Sequence, residues 1–237
     1  MNFGPAGSIP ASNDQDQNRP LKIVVLGQSG TGKTTWLKRL LDGHFERKYE
    51  STMGAHTFNL QINTNKGPVS VVFWDTAGQE QLGGLVDGYY HNTDYAVYMM
   101  DITSKASLTN MNNWLCSLFK IAKKCKFVAV GNKLDLEHRG RQFKEDKLYH
   151  NIKGDMANRF LGYMEMSVKS GGDKIREPLA RFLTDKFKVR NIEIYAEQIT
   201  RPQTYQINSE NMSAIVDKGA AAKFNDDDDF EADAQFC

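Results

Sequence analysis

A short apolar run followed by a glycine-rich turn is the feature that most restricts the fold of this chain. Residues 21–26 read LKIVVL, and residues 27–34, GQSGTGKT, fit the pattern G-x-x-x-x-G-K-[ST] at every fixed position. The pattern needs a strand before it and a helix after it, because backbone N–H groups of the turn and the helix start then converge on one anion. An ordinary glycine-rich turn is the alternative, but it does not explain the Lys-Thr pair at its end. The sequence therefore predicts a phosphate-binding loop.

Strands alternate with helices through most of the chain. Apolar runs predict strands at residues 21–26, 56–63, 69–75, 95–101, 127–131 and 162–166, with a hairpin turn at 64–68. Helical patterns lie at residues 33–41, 104–124, 146–160 and 174–188. This alternation predicts an α/β fold of the P-loop NTPase class, with a mostly parallel six-stranded sheet and helices on both faces. Open sheets of this kind bind ligands at the carboxyl ends of their strands.

The chain divides into three parts. Residues 1–20 are polar and lack a hydrophobic signal core, so we expect a flexible N-terminal arm. Residues 21–188 carry the predicted domain. Beyond residue 188 the pattern weakens, and we expect a linker, a helix at residues 208–223 and a tail with the acidic run 226–229.

Candidate ligands for phosphate and magnesium lie in the loop and at later strand ends. Lys33 can reach the β- and γ-phosphates of a nucleotide, and the Thr34 hydroxyl can coordinate Mg²⁺. Thr52, in the loop after the first helix, offers a second hydroxyl, and Asp75 can hold the cation through water. The predicted nucleotide contacts in this part of the chain are Gln28, Ser29, Gly30, Thr31, Gly32, Lys33, Thr34, Thr35, Thr52 and Gly78.

The string DTAGQE at residues 75–80 follows a strand and lies about forty residues after the phosphate loop. Its glycine, Gly78, lets a backbone N–H approach the γ-phosphate, and the Gln79 amide can orient the attacking water as the catalytic group. A loop such as that around Thr52 orders when the γ-phosphate is present and loosens after hydrolysis. The pattern therefore predicts a nucleotide-dependent switch.

Two further loops predict recognition of guanine. Asn132, Lys133 and Asp135 form the string NKLD after a strand. The Asp135 carboxylate can accept hydrogen bonds from guanine N1–H and the exocyclic amino group, whereas adenine has neither donor. The Lys133 stem can cover the base plane. The later segment Ser167, Val168 and Lys169 can close the base pocket with backbone N–H groups.

Composition excludes several other functions. A net charge of +1 does not favour sequence-independent DNA binding. The three cysteines form no C-x-x-C pair, which argues against a zinc site and suits a reducing compartment. The apolar runs are shorter than a bilayer span. The five histidines are scattered, and we interpret them as surface or packing residues rather than ligands.

The four motifs together resemble those of the Ras-superfamily small GTPases over residues 21–188. Within that superfamily the chain is most similar to the Ran branch, and the resemblance implies that it is a divergent member of that branch. The similarity includes the hairpin turn TNKGP, the string GGLVDGYY at residues 83–90 and an acidic C-terminal run without a lipidation box. Four positions differ from the residues usual in that branch: Ser29, Leu82, Val86 and Val168.

This resemblance implies a Mg²⁺-dependent GTPase with a low intrinsic rate that controls nucleocytoplasmic transport of protein and RNA and takes part in spindle assembly. It implies a monomer in the nucleus and cytoplasm without a membrane anchor. The implied partners are importin-β-type transport receptors, an exchange factor, a GTPase-activating protein and Ran-binding domains. The resemblance also places Tyr49 beside the catalytic glutamine, and it implies that residues from 189 onward pack on the GDP form and release on GTP binding.

Two alternatives remain open. One is a Rab-type vesicle-trafficking GTPase prenylated at Cys237, although a C-a-a-X box needs three residues after the cysteine and this sequence has none. The other is a binding scaffold that holds GTP without hydrolysing it, against which Gln79 argues. Mass spectrometry of the C-terminus separates the first alternative, and single-turnover hydrolysis separates the second.

Overall fold

The computed structural model describes residues 19–47, 50–52, 54–78, 85–195 and 204–207, and for residues 85–87 and 204–207 it describes the backbone alone. One eight-stranded sheet forms the centre of this part of the chain. The strands are β1 (Leu21–Leu26), β2 (Ala55–Thr64), β3 (Gly67–Thr76), β4 (Tyr95–Asp101), β5 (Lys126–Asn132), β6 (Phe160–Glu165), β7 (Ile194–Tyr195) and β8 (Thr204–Ile207).

The strand order is β6-β5-β4-β1-β3-β2-β7, and β8 also pairs with β2. Strand β1 lies parallel to β3 and β4, and the pairs β4–β5 and β5–β6 are parallel as well. Strand β2 runs antiparallel to β3. The carboxyl ends of the parallel strands therefore meet at one edge, where a ligand site is expected. The predicted mostly parallel six-stranded sheet is confirmed in β1–β6.

The hairpin between β2 and β3 turns at Asn65 and Lys66. The Thr64 hydroxyl donates to the Gly67 carbonyl oxygen at 2.8 Å and accepts from the Lys66 N–H at 3.0 Å. Gly67 has a φ of 104°, which a side chain would disfavour at this turn. The predicted hairpin is thus confirmed, with a tighter turn than the sequence indicated.

Seven α-helices surround the sheet within the described residues. They are α1 (Lys33–Asp42), α2 (Leu85–Tyr90), α3 (Lys105–Thr109), α4 (Met111–Ile121), α5 (Glu145–Asn151), α6 (Asp155–Arg159) and α7 (Glu177–Phe187). Two predicted helices are in fact broken: the helix expected at 104–124 is interrupted at Asn110, and the one at 146–160 ends before Gly154. Gly154 has a φ of 56°, outside the helical region. Helix α2 was not predicted.

Helices cover both faces of the sheet, as predicted. On one face α1 and α7 bury Trp36, Leu37 and Phe182 against the apolar residues of β1, β3 and β4. The other face is covered mainly by α4, α5 and α6, with Trp114 and Leu148 buried. Close packing of these buried side chains on both faces holds the sheet rigid. The loops that extend from its carboxyl edge therefore start from fixed positions.

Two short C-terminal strands extend the sheet beyond the six predicted. β7 pairs with Asn63 and Thr64. β8 pairs antiparallel with the start of β2, where Ala55 faces Ile207 and Phe58 faces Thr204. Neither strand is predicted by the sequence pattern, because a two- or four-residue strand leaves no periodicity to detect. The expected helix at 208–223, the acidic tail and most of the N-terminal arm lie outside the described residues. None of the helices described is long and apolar enough to span a bilayer.

Candidate functional site

The phosphate-binding loop lies between β1 and α1, as the motif requires. Gly27, Gly30 and Gly32 have φ values of 130°, 76° and 101°. A Cβ at Gly27 would collide with the Met99 carbonyl group of β4. The backbone path therefore depends on glycine for both conformation and space. The Gly32 carbonyl accepts the first helical bond, from the Trp36 N–H at 2.8 Å, so the loop leads directly into the N-terminus of α1.

The Lys33 ammonium lies inside this loop. Its Nζ donates to the Gly27 carbonyl oxygen at 2.8 Å and to the Gln28 carbonyl oxygen at 3.1 Å, and the residue is 6% exposed. The Thr31 hydroxyl donates to the same Gln28 oxygen at 2.9 Å. These bonds hold a positive charge among backbone groups of the loop, which is the arrangement that a phosphate-binding loop needs.

The two hydroxyls predicted to coordinate Mg²⁺ lie together. Thr34 Oγ1 and Thr52 Oγ1 are 3.0 Å apart, although the residues come from the start of α1 and from the loop before β2. They line one cavity of about 440 Å³ with Ser29, Gly30, Gly32, Lys33, Thr35 and Gly78. Most of the predicted phosphate residues and both predicted metal-binding hydroxyls thus line a single space, whereas Asp75 is not part of its wall.

Asp75, near the end of β3, is fully buried. Neither carboxylate oxygen has a hydrogen-bond partner by geometry among the described residues. Burial raises the pKa of this carboxyl above its ordinary value, and the nearby Thr34 hydroxyl and Lys33 ammonium counteract that effect. An unpartnered buried carboxylate is costly, and both oxygens remain able to accept from a cation's bound water.

These residues fit a hydrated magnesium ion. Mg²⁺ prefers oxygen ligands and keeps several water molecules, which carboxylates then hold by hydrogen bonds. The Thr34 and Thr52 hydroxyls would be direct ligands, and the unpartnered Asp75 oxygens would accept from the bound water. The chemistry of this donor set therefore agrees with the predicted metal residues.

His56 also lines this cavity and is the cross-strand partner of Asp75. The interpretation of all five histidines as surface or packing residues is therefore incomplete, because His56 is part of the wall of the candidate site. The signal in the sequence was the hairpin register, which places residue 56 opposite residue 75 once the turn at 65–66 is known.

Asn132 joins the phosphate loop to the loops predicted to bind the base. Its Nδ2 donates to the Thr31 carbonyl oxygen at 2.8 Å, and its Oδ1 accepts from the Val168 N–H at 3.0 Å. The side chain is buried and both of its ends are satisfied. The Val168 N–H, expected to face the base, is thus bonded to Asn132 in this structure.

Lys133 has a positive φ of 68°, and its Nζ lies 2.7 Å from Asp101 Oδ2. Asp101 also accepts from the Thr103 N–H and hydroxyl at 2.9 and 2.7 Å. Burial opposes ionisation of Asp101, but the bonds from Lys133 and Thr103 outweigh it and lower the pKa. Asp101 therefore fixes the lysine stem that was predicted to cover the base. Sequence analysis missed it, although it stands at the end of a predicted strand.

Asp135 and Ser167 are in contact, as a shared base pocket requires. Ser167 Oγ donates to Asp135 Oδ1 at 2.6 Å, and Lys169 Nζ lies 3.6 Å from Asp135 Oδ2. The Leu134 N–H donates to the Met166 carbonyl oxygen at 3.2 Å, which joins the two loops through their backbones. The structure therefore brings together the residues predicted to read the base.

Two predicted site residues, Tyr49 and Gln79, lie outside the described residues. Gly78, immediately before Gln79, packs against the backbone of Ser29, so closely that a Cβ on Gly78 would collide with it. The DTAGQE segment therefore contacts the phosphate loop at its glycine, and the approach of the Gly78 N–H to the γ-phosphate stays a prediction.

Replacing Asn132 with alanine should loosen both loops at once. The substitution leaves the Thr31 carbonyl and the Val168 N–H without their partner, so we expect a loss of about 1–3 kcal/mol in the free energy of unfolding. Release of GDP should accelerate about tenfold, as judged from a loss of this order. Urea unfolding and the release of a fluorescent GDP analogue measure the two effects. Asn112→Ala, at an exposed position of α4, is the matched control; equal behaviour of the two variants would contradict the assignment.

The fold and site together define a P-loop nucleotide-binding protein with a small G domain. The sequence model of the Ras family matches residues 22–185. That match covers more than half of the 237 residues, and the chain belongs to the Ras family. It is therefore a GTP-binding molecular switch that hydrolyses GTP to GDP and uses Mg²⁺. As a small GTPase it is served by exchange factors and GTPase-activating proteins.

Proposed function

We propose that this GTPase is a Ran-type switch that controls nucleocytoplasmic transport and moves between nucleus and cytoplasm. The observation that carries the proposal is the pairing of β8 with the start of β2. A segment beyond the G domain thus lies on the domain itself, beside the loop that holds Thr52. The hairpin turn, the string GGLVDGYY and the acidic run support the same branch.

The position of β8 would allow the C-terminal segment to respond to whether GTP or GDP is bound. Ile207 pairs with Ala55, three residues after Thr52. A loop held by the γ-phosphate and its metal changes order when the phosphate leaves. Such a change reaches the first residues of β2 and with them the partner strand. We therefore assign residues 189–237 the role of a C-terminal switch that packs on the domain in one state and releases in the other.

The site residues have separate roles in this proposal. Lys33 and the backbone N–H groups of the phosphate loop, including those of Ser29, Gly30 and Gly32, stabilise charge on the β- and γ-phosphates. Magnesium, when bound, neutralises charge on the same phosphates. Thr34 and Thr52 would hold the cation directly, and Asp75 would hold it through water. These residues position the triphosphate and supply no covalent chemistry.

In this proposal Gln79 orients the attacking water through its side-chain amide, and the resemblance assigns Tyr49 a role beside it. Without a partner the rate of hydrolysis should be low, on the order of 10⁻⁴ per second, as is usual when no arginine is supplied to the transition state. The base end is held by Asp135, with Lys133 against the ring and the segment 167–169 closing the pocket.

The transport role predicts state-dependent binding to importin-β-type receptors. Gln79→Leu removes the water-orienting amide and should hold the chain in the GTP state. A purified receptor should retain the GTP-loaded variant and wild type loaded with a non-hydrolysable GTP analogue, but not GDP-loaded protein. Pull-down with defined nucleotide and single-turnover hydrolysis are the two measurements.

Gln142→Leu, at an exposed loop position, is the control and should hydrolyse GTP as wild type does. Equal retention by the receptor in both nucleotide states would contradict the transport role. A prenyl adduct on Cys237, found by mass spectrometry of protein from eukaryotic cells, would instead support the Rab-type alternative.

A further inference from the structure

A polar network lies beneath the two loops that meet at Asp135, and none of its members belongs to the motifs above. The Tyr163 hydroxyl donates to Glu165 Oε1 at 2.6 Å. Arg141 binds the same carboxylate with two nitrogens, at 2.9 Å to Oε1 and 2.5 Å to Oε2. Arg141 Nε lies 2.9 Å from Glu137 Oε1. We call these residues, Glu137, Arg141, Tyr163 and Glu165, the base-loop clamp.

The clamp joins the roots of both loops. Glu137 lies two residues after Asp135 in the same 3-10 turn, and Glu165 lies two residues before Ser167 at the end of β6. The tips of the loops meet through the Ser167–Asp135 hydrogen bond of 2.6 Å. The Lys174 ammonium adds a bond to the Glu165 carbonyl oxygen at 3.2 Å. Asp135 is therefore bonded at the tip by Ser167, and the root of its loop is linked to Arg141 through the ion pair with the exposed Glu137.

The local chain leaves little freedom for this arrangement to shift. The Arg141 and Glu165 side chains are 18% and 21% exposed, so their two-point bond is partly shielded from water. Burial opposes ionisation of Glu165, but the bonds from Arg141 and Tyr163 outweigh it and lower the pKa. Gly131 of β5 leaves space for the Tyr163 hydroxyl, which a Cβ at that position would strike. A glycine directly before Asn132 thus accommodates the tyrosine of the neighbouring strand.

We propose that the base-loop clamp positions Asp135 and so sets the selectivity of the site for guanine over hypoxanthine. Guanine presents N1–H and an exocyclic amino group, whereas hypoxanthine retains only N1–H. Two donors can be bound together only if both Asp135 oxygens are held at fixed positions. A single donor can still be bound by a mobile carboxylate. The inference rests on the proposed role of Asp135 as the base reader. The residues of the base-loop clamp are positioning residues, because none of them contacts the base.

The test compares the Kd for GDP with the Kd for IDP, the hypoxanthine nucleotide, in the full-length chain with Mg²⁺. Glu165→Gln and Arg141→Met should each lower the ratio of Kd(IDP) to Kd(GDP) by about fivefold to tenfold, a size typical of coupled neighbouring residues. The double variant should lower it no further than Arg141→Met alone, because that substitution already breaks the contacts of Arg141 with both Glu165 and Glu137. Tyr163→Phe, which keeps the Arg141–Glu165 pair, should lower the ratio by about twofold to threefold and remains informative if the charge variants fold poorly.

Asp155→Asn is the matched control. It breaks the ion pair between Asp155 and Arg159 on α6, 2.6 Å long and remote from the loops, and should leave the ratio unchanged even if stability falls. Asp135→Ala tests the underlying role and should bring the ratio close to unity. An unchanged ratio in the clamp variants, with collapse in Asp135→Ala, would overturn the clamp alone. An unchanged ratio in Asp135→Ala would overturn the base-reading role and the clamp with it.

Discussion

Lys33→Ala should raise the Kd for guanine nucleotide by about 30-fold to several thousand-fold. The estimate follows from the about 2–5 kcal/mol that truncation of one partner in a buried charge pair costs, at about 1.4 kcal/mol per factor of ten. The ammonium is enclosed by the loop at 6% exposure, so water cannot replace its contact with the phosphates. The affinity for GTP should fall more than the affinity for GMP, because Lys33 is expected to reach the β- and γ-phosphates that GMP lacks. Titration of the nucleotide-free protein with each nucleotide measures the difference.

Lys186→Ala is the control for this variant, since Lys186 is exposed on α7 and far from the loop in sequence. Its nucleotide affinity should equal that of wild type. Lys33→Ala also removes the bonds to the Gly27 and Gln28 carbonyl oxygens, so a moderate fall in thermal stability is expected. Equal losses for GTP and GMP would show that the variant weakens the fold of the loop rather than a contact with the outer phosphates.

Asp135→Asn should exchange guanine for xanthine as the preferred base. The aspartate accepts from both donors of guanine, whereas an asparagine amide donates where guanine also donates. Xanthine replaces the exocyclic amino group with a carbonyl oxygen, which accepts that amide. We expect GDP affinity to fall on the order of 10³-fold, as when a buried charged partner is lost, and XDP affinity to rise above it. Competition between XDP and labelled GDP measures the exchange.

The Ser167 hydroxyl, which donates to Asp135 Oδ1, can donate equally to an asparagine carbonyl oxygen, so the loop contact should survive. Asp146→Asn, at an exposed position of α5, is the control and should keep wild-type selectivity. If Asp135→Asn still prefers GDP to XDP, a carboxylate at this position does not read the base.

The site could be predicted from sequence wherever a loop chemistry requires a fixed residue type. The glycines and the Lys-Thr pair of residues 27–34 are short-range constraints, because each follows from how one turn wraps an anion. Thr34 and Thr52 illustrate the limit of such reasoning. Their residue types suggested a shared metal, but only the fold shows their hydroxyls 3.0 Å apart. Strands β1, β4 and β5 could also be predicted from the sequence, since each is a buried apolar run.

The residues that were missed act across strands. Asp101, His56 and Glu165 all belong to strands, and each gains its role from a neighbour on another strand or loop. Sheet register decides such pairs, and register depends on turn length and on the packing of both faces. The C-terminal strands β7 and β8 were missed for a related reason. Their pairing with β2 depends on contacts between residues more than a hundred positions apart.

The polar bonds between loops explain how one rigid sheet can serve two ends of a nucleotide. Asn132 joins the phosphate loop to the segment 167–169, and Ser167 joins that segment to Asp135. Displacement of one loop therefore disturbs the others, so loss of either the base or the phosphates should weaken the hold on the remaining part. This coupling is what a switch needs if nucleotide release is to be controlled by a partner acting at one end.

The most direct test of the account is the nucleotide that the purified chain retains. The protein is denatured after gel filtration in magnesium, and the released nucleotide is resolved by ion-exchange chromatography. A guanine-specific, magnesium-dependent site should yield about one guanine nucleotide per chain, as GDP or GTP, and should lose it rapidly when a chelator removes the metal. Recovery of no nucleotide after loading with GTP and magnesium, or retention of ATP at the same level as GTP, would contradict it.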